Sequence, residues 1–194
     1  MSRVFETIKI ANGEAQNIYY HWERIKWTFK ELYKSKPFFN LYELLKGIQI
    51  TDGVLRFKLI YNQTDVEYHI FNYQRKRIDY FYIVEDDYID YRFKYEDRSA
   101  LERYCRKDYG EPIFLKNKMI TDTSFGNLAF FDGVKWITPV SYLLKGTKRS
   151  KLLKEGVLRE DEIFVSDLKY FKKLAIINSM NELGELCFQV DKII

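Results

Sequence analysis

The stretch MITDTSFGN at residues 119–127 places a carboxylate, Asp122, five residues before the amide of Asn127. The residues between them are mostly small, hydroxylated or glycine, and such residues favour a turn at the end of a strand. Taken alone, Asp122 reads as a turn aspartate that bonds to its own backbone amides. Whether it has a chemical role depends on three other places in the chain: Arg24, Lys94 and the segment LLKGTKR.

Gly146 begins the segment GTKR, which we predict to start a helix. A glycine at this position leaves the first backbone amides of the helix, those of Thr147 and Lys148, directed outward, where the helix dipole also favours an anion. The segment therefore has the features of a phosphate-binding cup. A plain helix start with basic surface residues is common in proteins and stays open as the alternative.

Lys94 lies between aromatic residues in the segment YRFKYEDR. A lysine packed among aromatic side chains loses solvation, which favours the neutral amine, and a neutral amine can form a Schiff base with a carbonyl group. The alternative is a lysine that points outward from an alternating strand. For Arg24, the alternative to anion binding is a solvated charge on the surface of its helix.

The hydrophobic pattern predicts an α+β architecture of meandering sheets and a few helices, in two lobes over 1–87 and 88–194. A helix over 19–34 carries Arg24, because apolar residues follow one helical face there: Ile18, Trp22, Ile25, Phe29 and Leu32. Hairpin turns are predicted at 12–13, 62–65, 117 and 132–133, and further helices over 41–46, 97–107 and 146–156, the second of these capped by Gly110.

Four segments together resemble one known family, the class IV aminotransferases, which are fold-type IV enzymes that use pyridoxal phosphate (PLP). VFETIKIANG followed by HWERI is similar to the first strand and helix of the family, and KYEDR to its lysine segment. DTSFGN is similar to the family's E-x-x-x-x-N signature, and TPVSYLLKGTKR to its glycine-containing phosphate segment. The four segments occur in the family's order and span nearly the whole chain.

The resemblance implies a role for each of the singled-out residues. Lys94 would hold PLP covalently and move the Cα proton of the substrate. Asp122 would face the pyridine nitrogen and keep it protonated, while Arg24 would bind the phosphate. The remaining cofactor contacts implied by the resemblance are Ser124, Asn127, Gly146, Thr147 and Lys148.

The resemblance also implies a fold and an activity. The fold would be two-lobed, like that of D-amino-acid aminotransferase, with an N-terminal α/β sandwich and a C-terminal β-barrel-like lobe. The substrate would be a small molecule with an amino group, and we favour 4-amino-4-deoxychorismate, from which pyruvate is eliminated to give 4-aminobenzoate for folate synthesis. A small branched-chain or D-amino-acid aminotransferase, or a catalytically degenerate PLP-binding homologue, stays open. A homodimer is expected, because partner residues often complete the pocket in this family.

The chain departs from the family at the site itself. Asp122 stands where the family usually has Glu, one methylene longer, and Thr147–Lys148 stands where a hydrophobic residue and Thr are common. The spacings from Arg24 to Lys94 and from Lys94 to Asp122 are shorter than usual. A phosphate contact through the backbone would tolerate the change at Thr147–Lys148, whereas a contact through side chains would not.

Composition argues against several other classes of protein. The 194 residues carry a net charge of +4 from 32 basic and 28 acidic residues, so no charge excess points to nucleic acid or a membrane surface. With 2 cysteines, 2 histidines and no CxxC, no metal site is expected. No secretion signal or membrane span is predicted, which favours a cytoplasmic protein. The remaining alternative is a non-enzymatic binding module that uses LLKGTKRSK as a basic patch.

Overall fold

The computed structural model describes residues 2–46, 48 and 53–194 of the chain. They fold into two units, Met1–Arg75 with Phe93–Asp97, and Lys76–Arg92 with Arg98–Ile194. The segment 93–97, which the predicted boundary placed in the C-terminal lobe, lies in the first unit because backbone hydrogen bonds attach it there. The Phe5 amide donates to the Lys94 carbonyl at 2.8 Å, and the Glu96 amide donates to the Arg3 carbonyl at 2.9 Å.

The first unit is a four-stranded antiparallel sheet with two helices packed against it. The strand order is β2-β1-β3-β4, with β1 at Val4–Ala11, β2 at Glu14–Ala15, β3 at Val54–Tyr61 and β4 at Val66–Asn72. Helix α1 spans Ile18–Glu31 and α2 spans Leu41–Lys46. The predicted turn at Asn12-Gly13 is confirmed, and both residues have positive φ.

The apolar face predicted for α1 is confirmed as the face that contacts the sheet. Ile25 and Phe29 are fully buried there, and Phe29 stacks on Tyr61 of β3 at a centroid distance of 5.7 Å. Ile18, Trp22 and Leu32 pack against the same core. The helix therefore presents its adjacent face, with His21 and Arg24, to strand β1.

The second unit is a larger sheet whose main path runs β10-β9-β8-β7-β6-β5. Its strands are β5 Tyr80–Glu85, β6 Gly110–Lys116, β7 Met119–Thr123, β8 Asn127–Phe131, β9 Trp136–Pro139, β10 Leu158–Asp161, β11 Lys173–Ile177 and β12 Cys187–Gln189. The β-barrel-like lobe expected above does not close into a barrel among the described strands. The physical reason is that β8 pairs with β7, β9 and β11, so the sheet branches instead of curving back onto its first strand.

The helices of the second unit are short. Helix α3 spans only Ser99–Glu102, although a helix over 97–107 was predicted, and Gly110 begins β6 instead of capping α3. The next amides form i to i−3 bonds instead, since Tyr104 donates to the Leu101 carbonyl at 3.2 Å and Cys105 to the Glu102 carbonyl at 2.9 Å, so the α-helix does not continue. Helix α4 spans Thr147–Lys154, and 3-10 helices lie at Val165–Tyr170 and Val190–Lys192. Among the described residues, no helix combines the length and apolar character that a bilayer crossing requires.

Candidate functional site

Strand β1 carries a buried carboxylate, Glu6, on the face that also holds Val4, Ile8 and Ile10. Arg24 of α1 binds this carboxylate through two atoms. Its Nε donates to Oε1 at 2.8 Å and its Nη2 donates to Oε2 at 2.5 Å. A bidentate pair of this kind fixes the plane of the guanidinium. Arg24 is therefore not the solvated surface charge that was the alternative, while its role in phosphate binding stays a prediction.

His21, one turn before Arg24 on α1, binds the same carboxylate. Its Nδ1 lies 2.5 Å from Glu6 Oε2. Burial lowers the pKa of His21, and Glu6 opposes this effect only in part, so at pH 7 the neutral ring donates its Nδ1–H. Burial by itself would raise the pKa of Glu6, but the Arg24 charge and the hydrogen bonds from His21 and Arg24 lower it to about 2. Glu6 is therefore ionised at neutral pH and holds both side chains.

Lys94 lies beside β1 with its side chain half-buried. Its Nζ stands 4.5 Å from the centroid of the Phe5 ring, and its carbonyl accepts the Phe5 amide at 2.8 Å. Lys58 of β3 contacts the same ring, with Nζ 5.2 Å from the centroid. Lys94 thus contacts the aromatic ring of Phe5, whose face attracts the ammonium group. Neighbouring residues of one strand, Phe5 and Glu6, position Lys94 and Arg24 respectively.

In the second unit, β7 and β8 meet at a single pair, Asp122 and Asn127. Asn127 Nδ2 donates to Asp122 Oδ1 at 2.8 Å and to the Leu144 carbonyl at 2.9 Å. Asp122 Oδ2 accepts the backbone amides of Leu143 at 3.1 Å and Leu144 at 2.9 Å. The carboxylate does bond to backbone amides, but they belong to the loop before α4 and not to its own turn. Asp122 therefore joins the β7–β8 turn to that loop.

Asp122 is a buried acid with a perturbed pKa. Burial raises the pKa to about 6, although the hydrogen bonds from Leu144 and Asn127 and the charge of Arg149 act to lower it. The carboxylate is thus mostly ionised at pH 7, although burial makes the ionised form less stable than it would be in water. A nearby positive charge on a ligand would favour the ionised form further.

The turn between Asp122 and Asn127 is held through its backbone. The Ser124 amide donates to Glu111 Oε1 at 2.8 Å, and the Ser124 carbonyl accepts Arg98 Nη2 at 2.8 Å. Ser124 is buried. The structure thus fixes where this residue lies, while a contact of Ser124 with a cofactor stays a prediction.

Gly146 lies directly against Asn127. A methyl group on Gly146 would stand 1.8 Å from Asn127 Oδ1, so only glycine allows this approach. Helix α4 begins at the next residue without a side-chain cap, and Thr147, Lys148 and Arg149 are all buried. The first amides of a helix have no partner within it, so a buried, uncapped start is a place that an anion would satisfy.

Two basic residues of α4, Lys148 and Arg149, are buried and so are not surface residues as in the alternative interpretation, whereas Lys154 is exposed. The Lys148 ammonium bonds to Glu182, and Arg149 Nη2 donates to the Pro139 carbonyl at 2.8 Å and to Glu160. Both side chains are thus directed into the second unit. The helix start predicted at Gly146 is confirmed, and phosphate binding there stays a prediction.

The predicted site residues form two groups, one in each unit. Arg24 and Lys94 lie in the first, and the second holds Asp122, Ser124, Asn127, Gly146, Thr147 and Lys148. Sequence reasoning did not single out Glu6 or Glu111. Glu6 had a usable signal, because it is an acidic residue at an inward position of an otherwise apolar strand face. Glu111 had none, because it stands at the beginning of its strand.

Comparison with known proteins gives relatives over nearly the whole chain. No family model matches. An uncharacterised protein from Haemophilus influenzae is 39% identical over 188 residues, 94% of this chain and 100% of that protein. A solved structure from Haemophilus somnus, provisionally named a 4-amino-4-deoxychorismate lyase, is 34% identical with a TM-score of 0.87, covering 94% of this chain and 98% of that one. A hypothetical aminotransferase from Mycobacterium tuberculosis, solved in a PLP-bound form, shares the fold at 16% identity and a TM-score of 0.77, covering 99% of this chain and 81% of that one.

The raised pKa of Asp122 predicts how stability changes with pH. Because the folded pKa of about 6 exceeds the ordinary 3.8, folding takes up a proton between these values, and stability falls as pH rises through that window. We expect Asp122→Asn, which cannot titrate, to remove a decline of about 3 kcal/mol in the unfolding free energy. Urea denaturation of the cofactor-free protein from about pH 3.5 to about pH 7 measures this decline, because that range includes both pKa values.

Asp132, an aspartate that is only partly buried, provides the control for this experiment. Hydrogen bonds from the amides of Lys135 and Val134 lower the pKa of Asp132, so its contribution has the opposite sign and is lost as pH falls. Asp132→Asn should therefore leave the decline toward neutral pH intact. Equal pH profiles for wild type and Asp122→Asn would contradict the assignment.

The contact between Gly146 and Asn127 predicts a strong coupling between the two positions. Gly146→Ala forces Asn127 out of its place, and we expect a loss of about 1–3 kcal/mol of unfolding free energy. In an Asn127→Ala background the obstructing atom is absent, so the same change should cost much less. A double-mutant cycle by urea denaturation measures the difference, and an equal cost in both backgrounds would show that the contact is not the cause.

Proposed function

The chain belongs to the class IV aminotransferase family of fold-type IV PLP enzymes, and from that premise we propose that it binds PLP and acts as a 4-amino-4-deoxychorismate lyase. In this reaction pyruvate is eliminated from the substrate and 4-aminobenzoate is released. The observation that carries the proposal is the 34% identity, over 94% of the chain, to the Haemophilus somnus protein provisionally named as such a lyase. The chain also has a lysine and a carboxylate, Lys94 and Asp122, in the segments that resemble those carrying the family's chemistry.

The residues of the second unit fit the cofactor. Helix α4 begins with buried amides and no side-chain cap, which suits the phosphate group. Asp122 is buried and mostly ionised at neutral pH, which suits a protonated ring nitrogen. The three N–H donors on Asp122 keep it in one orientation. A carboxylate held in this way needs little reorganisation when a positive charge approaches it.

The first unit supplies the other proposed contacts. Arg24 would contribute a positive charge to phosphate binding, and Glu6 sets the plane of its guanidinium group. Lys94 would be the point of covalent attachment and would take the proton from the substrate Cα and return it. When bound, PLP supplies the electron sink that stabilises negative charge at that carbon. The Phe5 ring lies against the Lys94 amine and helps to hold it in place.

Lys94 and Lys58 provide a matched pair of variants for testing the function, because both ammonium groups lie over the Phe5 ring. We expect wild type and Lys58→Ala, incubated with PLP and then borohydride, to retain the cofactor on the peptide that contains Lys94. Lys94→Ala should retain none, as seen by mass spectrometry. Formation of 4-aminobenzoate and pyruvate from aminodeoxychorismate should fall by about a hundredfold or more in Lys94→Ala alone, because the general base is lost.

Two results would contradict the proposal at different levels. If wild type retained no PLP, the proposed enzymatic function would be wrong. If wild type retained PLP on Lys94 but transferred amino groups from L- or D-amino acids without releasing 4-aminobenzoate, the protein would be an aminotransferase. The role in folate synthesis and the cytoplasmic location stay predictions that these measurements do not address.

We also propose that the chain forms a homodimer, as the family resemblance implies. Support comes from β4, the edge strand of the first sheet, on which Tyr68, Ile70 and Phe71 are exposed by 47%, 38% and 42%. An exposed apolar edge strand favours pairing with another chain.

Light scattering should give a mass twice the chain mass of 23.5 kDa. We expect Ile70→Lys to shift the protein toward the monomer, because it places a charge on the apolar edge. Tyr88→Lys changes an isolated side chain that is 95% exposed and should not affect the mass. If the wild-type protein were a monomer, the homodimer proposal would be wrong, but the proposal that the protein binds PLP would be unaffected.

A further inference from the structure

We propose that Glu111 and Arg98 are positioning residues that hold the turn between Asp122 and Asn127 in the geometry that the cofactor requires. The inference rests on the proposed function for its effect on PLP, but the positioning itself is a property of the second unit. All the contacts involved lie within that unit. Neither residue is given a role in binding or catalysis by the family resemblance described above.

Glu111 holds the amide side of the turn. Its side chain is fully buried at the beginning of β6, and Oε1 accepts the Ser124 amide at 2.8 Å. The other oxygen, Oε2, accepts Lys76 Nζ at 2.5 Å. Lys76 also lies over the Phe125 ring, with Nζ 5.1 Å from the centroid. A buried carboxylate needs donors of this kind, so Glu111 and the turn stabilise each other.

Arg98 holds the carbonyl side of the same residue. Its Nη2 donates to the Ser124 carbonyl at 2.8 Å, and its Nε donates to Glu102 Oε1 at 3.1 Å. The Ser124 residue is thus bound by a buried anion at its amide and by a cation at its carbonyl. Both charges match the polarity of the backbone groups that they bind, so each bond is a charge-assisted one.

The remaining residues of the turn leave little freedom for it to adjust. The Thr123 amide donates to the Gly126 carbonyl at 2.9 Å. A methyl group on Gly126 would stand 2.6 Å from Ile176 Cγ2, so β11 closes that side. The turn connects Asp122 to Asn127, and the Asn127 side chain donates a hydrogen bond to the Asp122 carboxylate. A change in the turn would therefore alter the orientation of the Asp122 carboxylate.

The test compares two substitutions of Glu111. Glu111→Gln keeps an oxygen for the Ser124 amide and loses the charge that pairs with Lys76, whereas Glu111→Ala leaves the buried amide with no acceptor. Two quantities are measured: the midpoint of the Asp122 carboxyl titration by 13C NMR in the cofactor-free protein, and the dissociation constant and absorption maximum of bound PLP. Glu111→Gln should stay near wild type in both measurements.

In Glu111→Ala we expect the Asp122 midpoint to move toward the ordinary value, because a loosened turn admits water. The PLP dissociation constant should rise by about tenfold, the equivalent of one orphaned buried donor, and the absorption maximum should shift. Asp86→Asn is the control for general destabilisation, because Asp86 is a poorly exposed carboxylate of the same unit that pairs with Arg103 and accepts the Tyr104 hydroxyl. It should lower the melting temperature without changing either quantity.

A purely structural role would give the opposite pattern. Glu111→Ala would then lower the melting temperature, as Asp86→Asn does, with the Asp122 midpoint and the PLP affinity unchanged, and the inference would be overturned. If Glu111→Ala does not fold, Arg98→Met decides by the same two measurements. If wild type binds no PLP, the proposed function fails, but the Asp122 titration still supports or overturns the positioning role.

Discussion

Carboxylates removed from water set the arrangement of this protein's candidate site. A buried carboxylate is stable only where fixed donors replace its hydration, and each one therefore draws other elements toward it. Glu6 brings His21 and Arg24 of α1 to strand β1. Glu111 brings Lys76 and the β7–β8 turn to β6. Asp122 brings the loop before α4 to β7. The positions of the functional side chains follow from these three attachments.

Glu6 and Asp122 differ in the charge of their direct partners, and this difference moves their pKa values in opposite directions. Glu6 has a guanidinium as a direct partner, so its pKa falls to about 2 despite complete burial. Asp122 has only neutral N–H donors in direct contact, with the Arg149 charge acting over a longer range, so burial prevails and its pKa rises to about 6. The negative charge of Glu6 is therefore already balanced by Arg24, which Glu6 holds in place. Asp122 is the carboxylate whose charge a positively charged ligand group would still stabilise, which is the property a cofactor site needs.

Sequence reasoning predicted most of the elements that carry the candidate residues but not the attachments between those elements. Periodicity predicted α1 and its buried face because Ile25 and Phe29 repeat at helical spacing, and turn residues predicted the hairpins at 12–13 and 117. The boundary of α3 was missed because the amides after Glu102 form i to i−3 bonds, which the pattern of side chains does not show. The bonds from Leu143 and Leu144 to Asp122 were also missed. They use backbone amides, which every residue has, and so leave no trace in the pattern of side chains.

The substitution of Asp for the family's usual Glu is explained by the same backbone bonds. The shorter side chain keeps its carboxylate close to β7, and the loop before α4 approaches until its amides reach Asp122 Oδ2. That approach also brings Gly146 against Asn127, where a larger residue would not fit. The Lys148 side chain bonds to Glu182 within the unit, so a phosphate contact at the start of α4 would use the backbone amide of Lys148 and not its ammonium group. Asp122 and the start of α4 are thus connected, and the position of the carboxylate sets the position of the amides.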